Sequence, residues 1–546
     1  MKRFFLVFIY INLLITVIKS QTKIPADLIL VEGKIYTADS VFSVKSALAV
    51  RDGKFIAVGT TEEILHQYES GTIVRAGGLP VFPGFIDAHS HFYGYARSLH
   101  FVDLRGATSW AQVLSLLREK QHEFPSGWLT GRGWDQNLWE TKQFPDRASL
   151  DSLFPDRPVV LIRVDGHALM ANGAALKSAG ITGPEGFQPG EIEVKSGRMT
   201  GILSETAADR MKDSIPLESV GVQAALLRKA EEHCFEAGLT GVCDAGQDLR
   251  VIRLYDSLQR EGTLRIRINA MLSPTDENIN YFVKKGIYRT PLLNVRSLKI
   301  YADGSLGSRT ALLKQPYSDA PDKTGIMVTS QEKIRDICSL AFRYGYQVNT
   351  HAIGDEAVRL VLERYAEFLK GKNDLRWRIE HAQVVDPADL PLFGRYAVIP
   401  SVQATHATSD MYWAADRLGP VRIRWAYAYR SLLEQNGWLA NGTDFPVEDI
   451  SPVLTFYAAV ARKDLKGYPP GGFQPENALT REQALKSVTI WAAKSSFEEK
   501  ECGSIEPGKS ADFVILDGDL MTLPESSLPL VKVTRTYLNG RLVYEK

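Results

Sequence analysis

Pro83-Gly84-Phe85-Ile86-Asp87-Ala88-His89-Ser90-His91 decides how the rest of the chain is read. The apolar run from 81 to 86 reads as a short buried strand. It leads into two histidines separated by one residue. Alternate residues of a strand project to the same face, so His89 and His91 point together from its C-terminal end. Both can then bind one metal ion. A lone pair of this kind is a weak signal, because a single histidine is usually no more than a half-buried polar residue. The rest of the chain has to decide.

Working outward, eight runs read as buried strands: 84–91, 239–245, 264–272, 297–303, 346–354, 377–383, 398–405 and 438–445. Amphipathic helices separate several of them. From 333 to 344, Ile334, Ile337, Leu340 and Ala341 share one face, and 357–369 behaves likewise. Strand–helix repeats about 30 residues apart imply βα units and a parallel sheet. Eight such strands predict an α/β protein built on a (β/α)8 TIM barrel. An open doubly wound sheet would call for a nucleotide-binding fingerprint, and the sequence holds no GxGxxG.

Both ends of the chain have a different texture. Residues 28–31, 34–36, 47–50 and 55–58 are short apolar runs joined by turns, with an Asp52-Gly53 hairpin signal. Residues 508–516 and 531–544 repeat that character around Asn539-Gly540. The expectation is one small β-sandwich assembled from 21–82 and 501–546, with the metal-dependent barrel occupying 83–500. About 145 residues separate the first two barrel strands, far more than an ordinary connection. They are expected to form a large inserted lobe, at about 100–215, over the C-terminal mouth of the barrel. No linker rich in Pro, Gly or Ser brackets this segment, which argues against an independent domain.

Composition narrows the class. Lys+Arg and Asp+Glu both number 64 in 546 residues, so nothing favours nucleic acid or an anionic membrane surface as a partner. Lys2 and Arg3 precede an apolar run from 4 to 18, and Ser20 is a small residue suited to cleavage. Residues 1–20 therefore read as a signal peptide, with an uncleaved anchor as the alternative. The expected protein is secreted or periplasmic, and off the membrane once the signal is removed. Cys234, Cys243, Cys338 and Cys502 show no CxxC spacing, so they read as small core residues.

Chemistry in such barrels sits at the C-terminal ends of the strands. There the first strand carries His89 and His91, the fourth Lys299, the fifth His351, the sixth His381 and the eighth Asp444. Each has an ordinary explanation. Lys299 could pair with Asp303 or Glu380, the histidines could be satisfied core residues, and Asp444 could cap a helix. A lysine in a buried strand is nevertheless costly without compensation. All six together read as a metal site.

With these residues in place, the chain resembles the amidohydrolase superfamily, specifically the amidohydrolase 3 branch that includes N-substituted formamide deformylase. The matching stretches are 83–92, 299–311 (Lys-Ile-Tyr-Ala-Asp-Gly-Ser-Leu-Gly-Ser-Arg-Thr-Ala), 349–357, 380–383, 441–447 and 503–516. The likeness runs from about residue 25 to the end, with no departure at a metal-ligand position. It implies His89 and His91 on a buried metal. It implies a carboxylated Lys299 bridging to a second metal bound by His351 and His381. Asp444 would bind the first metal and act as the catalytic proton shuttle. The expected cofactor is one or two divalent ions, zinc first, with iron or manganese as alternatives.

The implied activity is hydrolysis of a non-peptide carbon–nitrogen bond in a small-molecule substrate, an amide or N-substituted formamide. A cyclic amidase or deaminase on the same centre, a non-catalytic binding barrel and an isomerase are the competing readings. A homo-oligomer is an open alternative to a monomer. Arg309, in the loop after the fourth strand, could hold a substrate carbonyl or carboxylate, or merely anchor its loop. Trp134 and His167 in the insertion, and Gln403 after the seventh strand, are further candidates for the substrate pocket. His406 could line it too.

Overall fold

The computed structural model describes residues 22–123 and 127–546. The segment read as a signal lies outside these residues. Among them, no helix is long and apolar enough to cross a membrane. The eight expected barrel strands are all present: β1 (Phe85–Ser90), β2 (Leu239–Gln247), β3 (Arg267–Leu272), β4 (Leu293–Tyr301), β5 (Gln347–Ala352), β6 (Arg378–His381), β7 (Ile399–Val402) and β8 (Ala440–Asn441). They are parallel neighbours in sequence order.

The ring is drawn together between β8 and β1, just where the candidate ligands sit. Asp444 N donates to His89 O at 2.8 Å and His91 N to Phe445 O at 2.9 Å. The approach is close: a Cβ on Gly442 would lie 2.4 Å from His89 N. That explains the glycine there. Buried Asp87 completes the join. It accepts from His89 N at 3.0 Å and from the Thr443 hydroxyl at 2.6 Å. Burial pushes its pKa up to about 7 against these hydrogen bonds.

The opening apolar run is not one strand. It breaks at Gly84, where Pro80–Pro83 belongs to a different sheet from β1. Gly84 N donates to Asp512 O at 2.9 Å, and a Cβ at this position would stand 2.4 Å from Thr240 Oγ1. Pro83 has no N–H to give and Gly84 no side chain to place, so the pair turns the chain from one sheet into the next.

Pro80–Pro83 pairs on one side with Lys34–Tyr36 and on the other with Phe513–Leu516. That six-stranded sheet packs on a four-stranded one through a shared apolar core including Leu30, Leu48, Val81, Phe513 and Tyr537. Residues from both ends of the chain thus make one β-sandwich. Its hairpins use the expected turns: Asp52 and Gly53 have φ of 52° and 73°, and Asn539 and Gly540 of 48° and 70°. The long connection after β1 holds a six-stranded sheet formed between Val102 and Ser204, with helices on it. The four cysteines are free and buried.

Candidate metal centre

Parity explains the interior of the barrel. Asp87, His89 and His91 alternate along β1 and its exit, Lys299 lies on β4, and Arg378 and Glu380 share a face of β6. Glu380 is fully buried. Its Oε2 meets His89 Nδ1 at 2.5 Å, and its Oε1 lies 2.6 Å from Arg378 Nε. Burial would raise the carboxyl pKa, but the Arg378 and His89 contacts hold it well below the usual range. Arg378 also donates to Ala88 O at 2.6 Å and to Ser401 Oγ at 2.8 Å, tying β6 to β1 and β7.

With Nδ1 engaged, His89 turns Nε2 toward the cluster, 3.6 Å from Asp444 Oδ1 and 3.3 Å from Lys299 Nζ. His91 Nε2 is 3.2 Å from the same Asp444 oxygen. The other oxygen, Asp444 Oδ2, lies 3.4 Å from His406 Nε2. Burial opposes the ionised form of Asp444, yet His406 and His91 keep its pKa well below normal. Burial, with Lys299 nearby, lowers the His89 pKa to about 4, so this imidazole is neutral and able to ligate at neutral pH. The Lys299 amine is lowered to about 8 by burial, partly offset by Glu380 and Asp444.

His381 follows Glu380, so strict alternation would aim it away from the interior. Its left-handed backbone, φ 71° followed by 43° at Ala382, breaks that alternation. The ring stands 4.9 Å from His89 and 4.5 Å from His351, centroid to centroid. Gln403 Oε1 meets His381 Nδ1 at 2.7 Å. Asp444 is likewise left-handed, with φ 61°.

Two groups of potential donors result: His89, His91 and Asp444, and His381, His406 and Asp444. Each keeps one ligand atom per residue within 4.8 Å of the others. Asp444 Oδ1 is buried and lacks an aligned hydrogen-bond donor despite its two histidine neighbours. Imidazole nitrogens held from behind by Glu380 and Gln403, around a carboxylate oxygen with no donor, suit a divalent metal.

Not every expected residue joins the cluster in the expected way. His351 Nε2 faces Gly304 O at 3.1 Å, and the histidine grouped with His381 and Asp444 is His406. Arg309 is paired with Asp319 at 2.8 Å and lines a separate cavity near 322–326. Its loop-anchoring reading is therefore the one the geometry supports. Trp134 is fully buried in the lobe, with Nε1 donating to Leu161 O at 2.8 Å, so it has no face on the pocket. Gln403 acts on His381 rather than on open space. His167 does reach the pocket: its ring lies 4.9 Å from that of His351, and Glu205 holds its Nδ1 at 2.9 Å. Burial lowers the His167 pKa, but Glu205 outweighs it and the net value rises to about 9.

The family model for the amidohydrolase family matches residues 72–544. The chain belongs to the amidohydrolase family. As such it is a hydrolase of carbon–nitrogen bonds. This amidohydrolase is 27% identical to N-substituted formamide deformylase of Arthrobacter pascens over 95% of its own length and 98% of the relative's. It is 32% identical to the protein LONG AFTER FAR-RED 3 of Arabidopsis thaliana, over 95% and 92% of the two chains. Among solved structures, an uncharacterized metal-dependent hydrolase from Pyrococcus horikoshii superposes with a TM-score of 0.75 at 30% identity, covering 91% of this amidohydrolase and 99% of that chain.

Sequence reading weighed Glu380 and Asp303 only as partners of Lys299; the structure pairs Glu380 with His89 and gives Asp303 a different task. Buried Asp303 accepts from Leu312 N and Gly354 N, both at 2.8 Å, and so clamps the loop after β4 onto the end of β5. The alternation of Arg378 and Glu380 inside a barrel strand was the available signal for Glu380.

Proposed function

We propose that this amidohydrolase cleaves the carbon–nitrogen bond of a small amide or N-substituted formamide. The observation that carries the reading is Asp444: one ionised carboxylate stands between His89 and His91 on one side and His381 and His406 on the other. The adjoining cavity, about 210 Å³, suits a small molecule. Leu306, Trp413 and Val447 supply apolar wall, while Gln383 and Ser409 offer polar contacts.

The proposed cofactor is zinc, as one or two ions that His89, His91, His381, His406 and Asp444 would hold, with a carboxylated Lys299 as a further ligand. Such an ion supplies an acidified water and a polarised carbonyl. The chain's own groups do the rest. Asp444 takes a proton from the attacking water and delivers it to the departing amine nitrogen. Glu380 and Gln403 fix which imidazole nitrogens face the substrate. Lys299, whose lowered pKa makes the free amine accessible, condenses with carbon dioxide: an N–C bond forms, one proton leaves, and an anionic oxygen ligand results. We further propose that residues 1–20 direct export and are removed, leaving a start near Gln21 by mass spectrometry.

The test is elemental analysis of the purified protein, followed by a panel of N-substituted formamides and small amides with that metal supplied. Release of a free amine is expected. Hydrolysis confined to cyclic amides, or ammonia release from amino-substituted rings, would move the substrate class. A product of unchanged mass would overturn the hydrolytic reading of the site.

A further inference from the structure

A second cavity opens beside His91, with a volume of about 260 Å³, and shares Asp165, His167 and Val447 with the first. The two therefore meet at the imidazole cluster, and a substrate can reach into both. Each of its acidic groups has a cationic partner, although Glu205 meets its own through Oε2 and keeps Oε1 buried without a hydrogen bond. Asp165 is 2.6 Å from Arg163 Nη1, Glu205 is 2.9 Å from His167 Nδ1, and Asp209 is 2.6 Å from Lys212 Nζ.

Arg132 is the cation left over. Its guanidinium makes one hydrogen bond, Nη2 to Val164 O at 3.2 Å, and no ion pair among the described residues. Its Nε is buried without an acceptor. The position is built. Arg132 lies on the strand Leu129–Trp134, whose ladder slips by one residue between Arg132↔Ile162 and Trp134↔Arg163. Gly133, with φ 109°, absorbs the bulge. Trp134 therefore packs into one face of the lobe while Arg132 stays on the other, at the cavity. Burial lowers the pKa of Arg132 to about 10, with only partial relief from Asp444 and Asp165. An arginine is still charged at neutral pH, so an unmatched guanidinium here favours an anion, and its fork matches a carboxylate. Tyr301 lines the same space.

We propose that this cavity receives an acidic group of the substrate, with Arg132 binding its carboxylate, so that the enzyme acts on amides that carry a free carboxylate on the His91 side. The proposal rests on the amide-hydrolase reading above and adds its specificity. Arg132 is a specificity-determining residue.

The test compares N-formylglycine with its methyl ester, two probes that differ only in the acid. In the wild type the acid should have a roughly 10- to 100-fold higher kcat/KM, carried in KM. Arg132→Ala should bring that ratio close to one, and Arg132→Lys should recover part of it. Metal content and Tm are measured on each variant, and the wild-type ratio stands whether or not a variant folds. A binding arm does not need turnover: N-formylglycine should raise the Tm of the wild type, and the ester should not. If neither probe is hydrolysed but the acid binds in an Arg132-dependent way, the carboxylate site beside His91 stands and the amide-hydrolase reading it was joined to is what fails. Equal handling of acid and ester by the wild type, or a folded Arg132→Ala that keeps the preference, would overturn the proposal.

Discussion

Glu380 holds His89 from behind, Oε2 to Nδ1 at 2.5 Å, and thereby selects the nitrogen that His89 turns to Asp444. Glu380→Gln keeps the shape and removes the charge. Metal affinity should fall by roughly 10- to 100-fold, the usual effect of losing such an outer partner. Competition titration against a chelator measures it. Unchanged affinity would mean that the charge of Glu380 does not matter to His89 as a ligand.

His406, rather than His351, shares the close group with His381 and Asp444. His406→Ala should therefore lower metal content more than His351→Ala does, by elemental analysis at matched protein concentration. The reverse order would restore the ligand set implied by sequence resemblance.

Asp444→Asn should fold and keep part of its metal while turnover falls by about 10²–10⁴-fold, the range for a lost acid–base group. Steady-state kinetics on metal-loaded variant would show this in kcat. A wild-type kcat would assign the proton transfer elsewhere.

The eight strands were legible as apolar runs at regular spacing, and the candidate ligands as polar residues toward the ends of five of them. The partners were harder. Glu380 looks like any charged residue until the interior parity of β6 is used, and even then its union with His89 joins positions 291 apart. Trp134 was read as a pocket residue, and a bulge at Gly133 sets it and Arg132, two positions apart, on different faces of the lobe sheet. Arg309 sits in a matching motif, but its outward pairing with Asp319 depends on a loop path no local pattern encodes.

His167 and Glu205 supply a pH signature. The folded-state pKa of His167 is raised from 6.5 to about 9, so protonation favours the folded form. That stabilisation is complete below about pH 6.5 and is lost as the pH climbs toward 9. At full strength it is on the order of 3 kcal/mol. Glu205→Gln should cost much of this at pH 6 and little at pH 9.5, in urea unfolding of chelator-treated protein. A penalty independent of pH would show that the pair is neutral.

The break at Gly84 also governs timing. Pro80–Pro83, the strand just before that break, is flanked by Phe513–Leu516, which the ribosome makes more than four hundred residues later. A nascent chain therefore carries His89 and His91 through more than four hundred further residues without the neighbour that frames the segment leading to them. Contacts so distant along the chain form late. The segment that leads into the metal-binding strand can thus take its place in the sandwich only once residues 513–516 have been made.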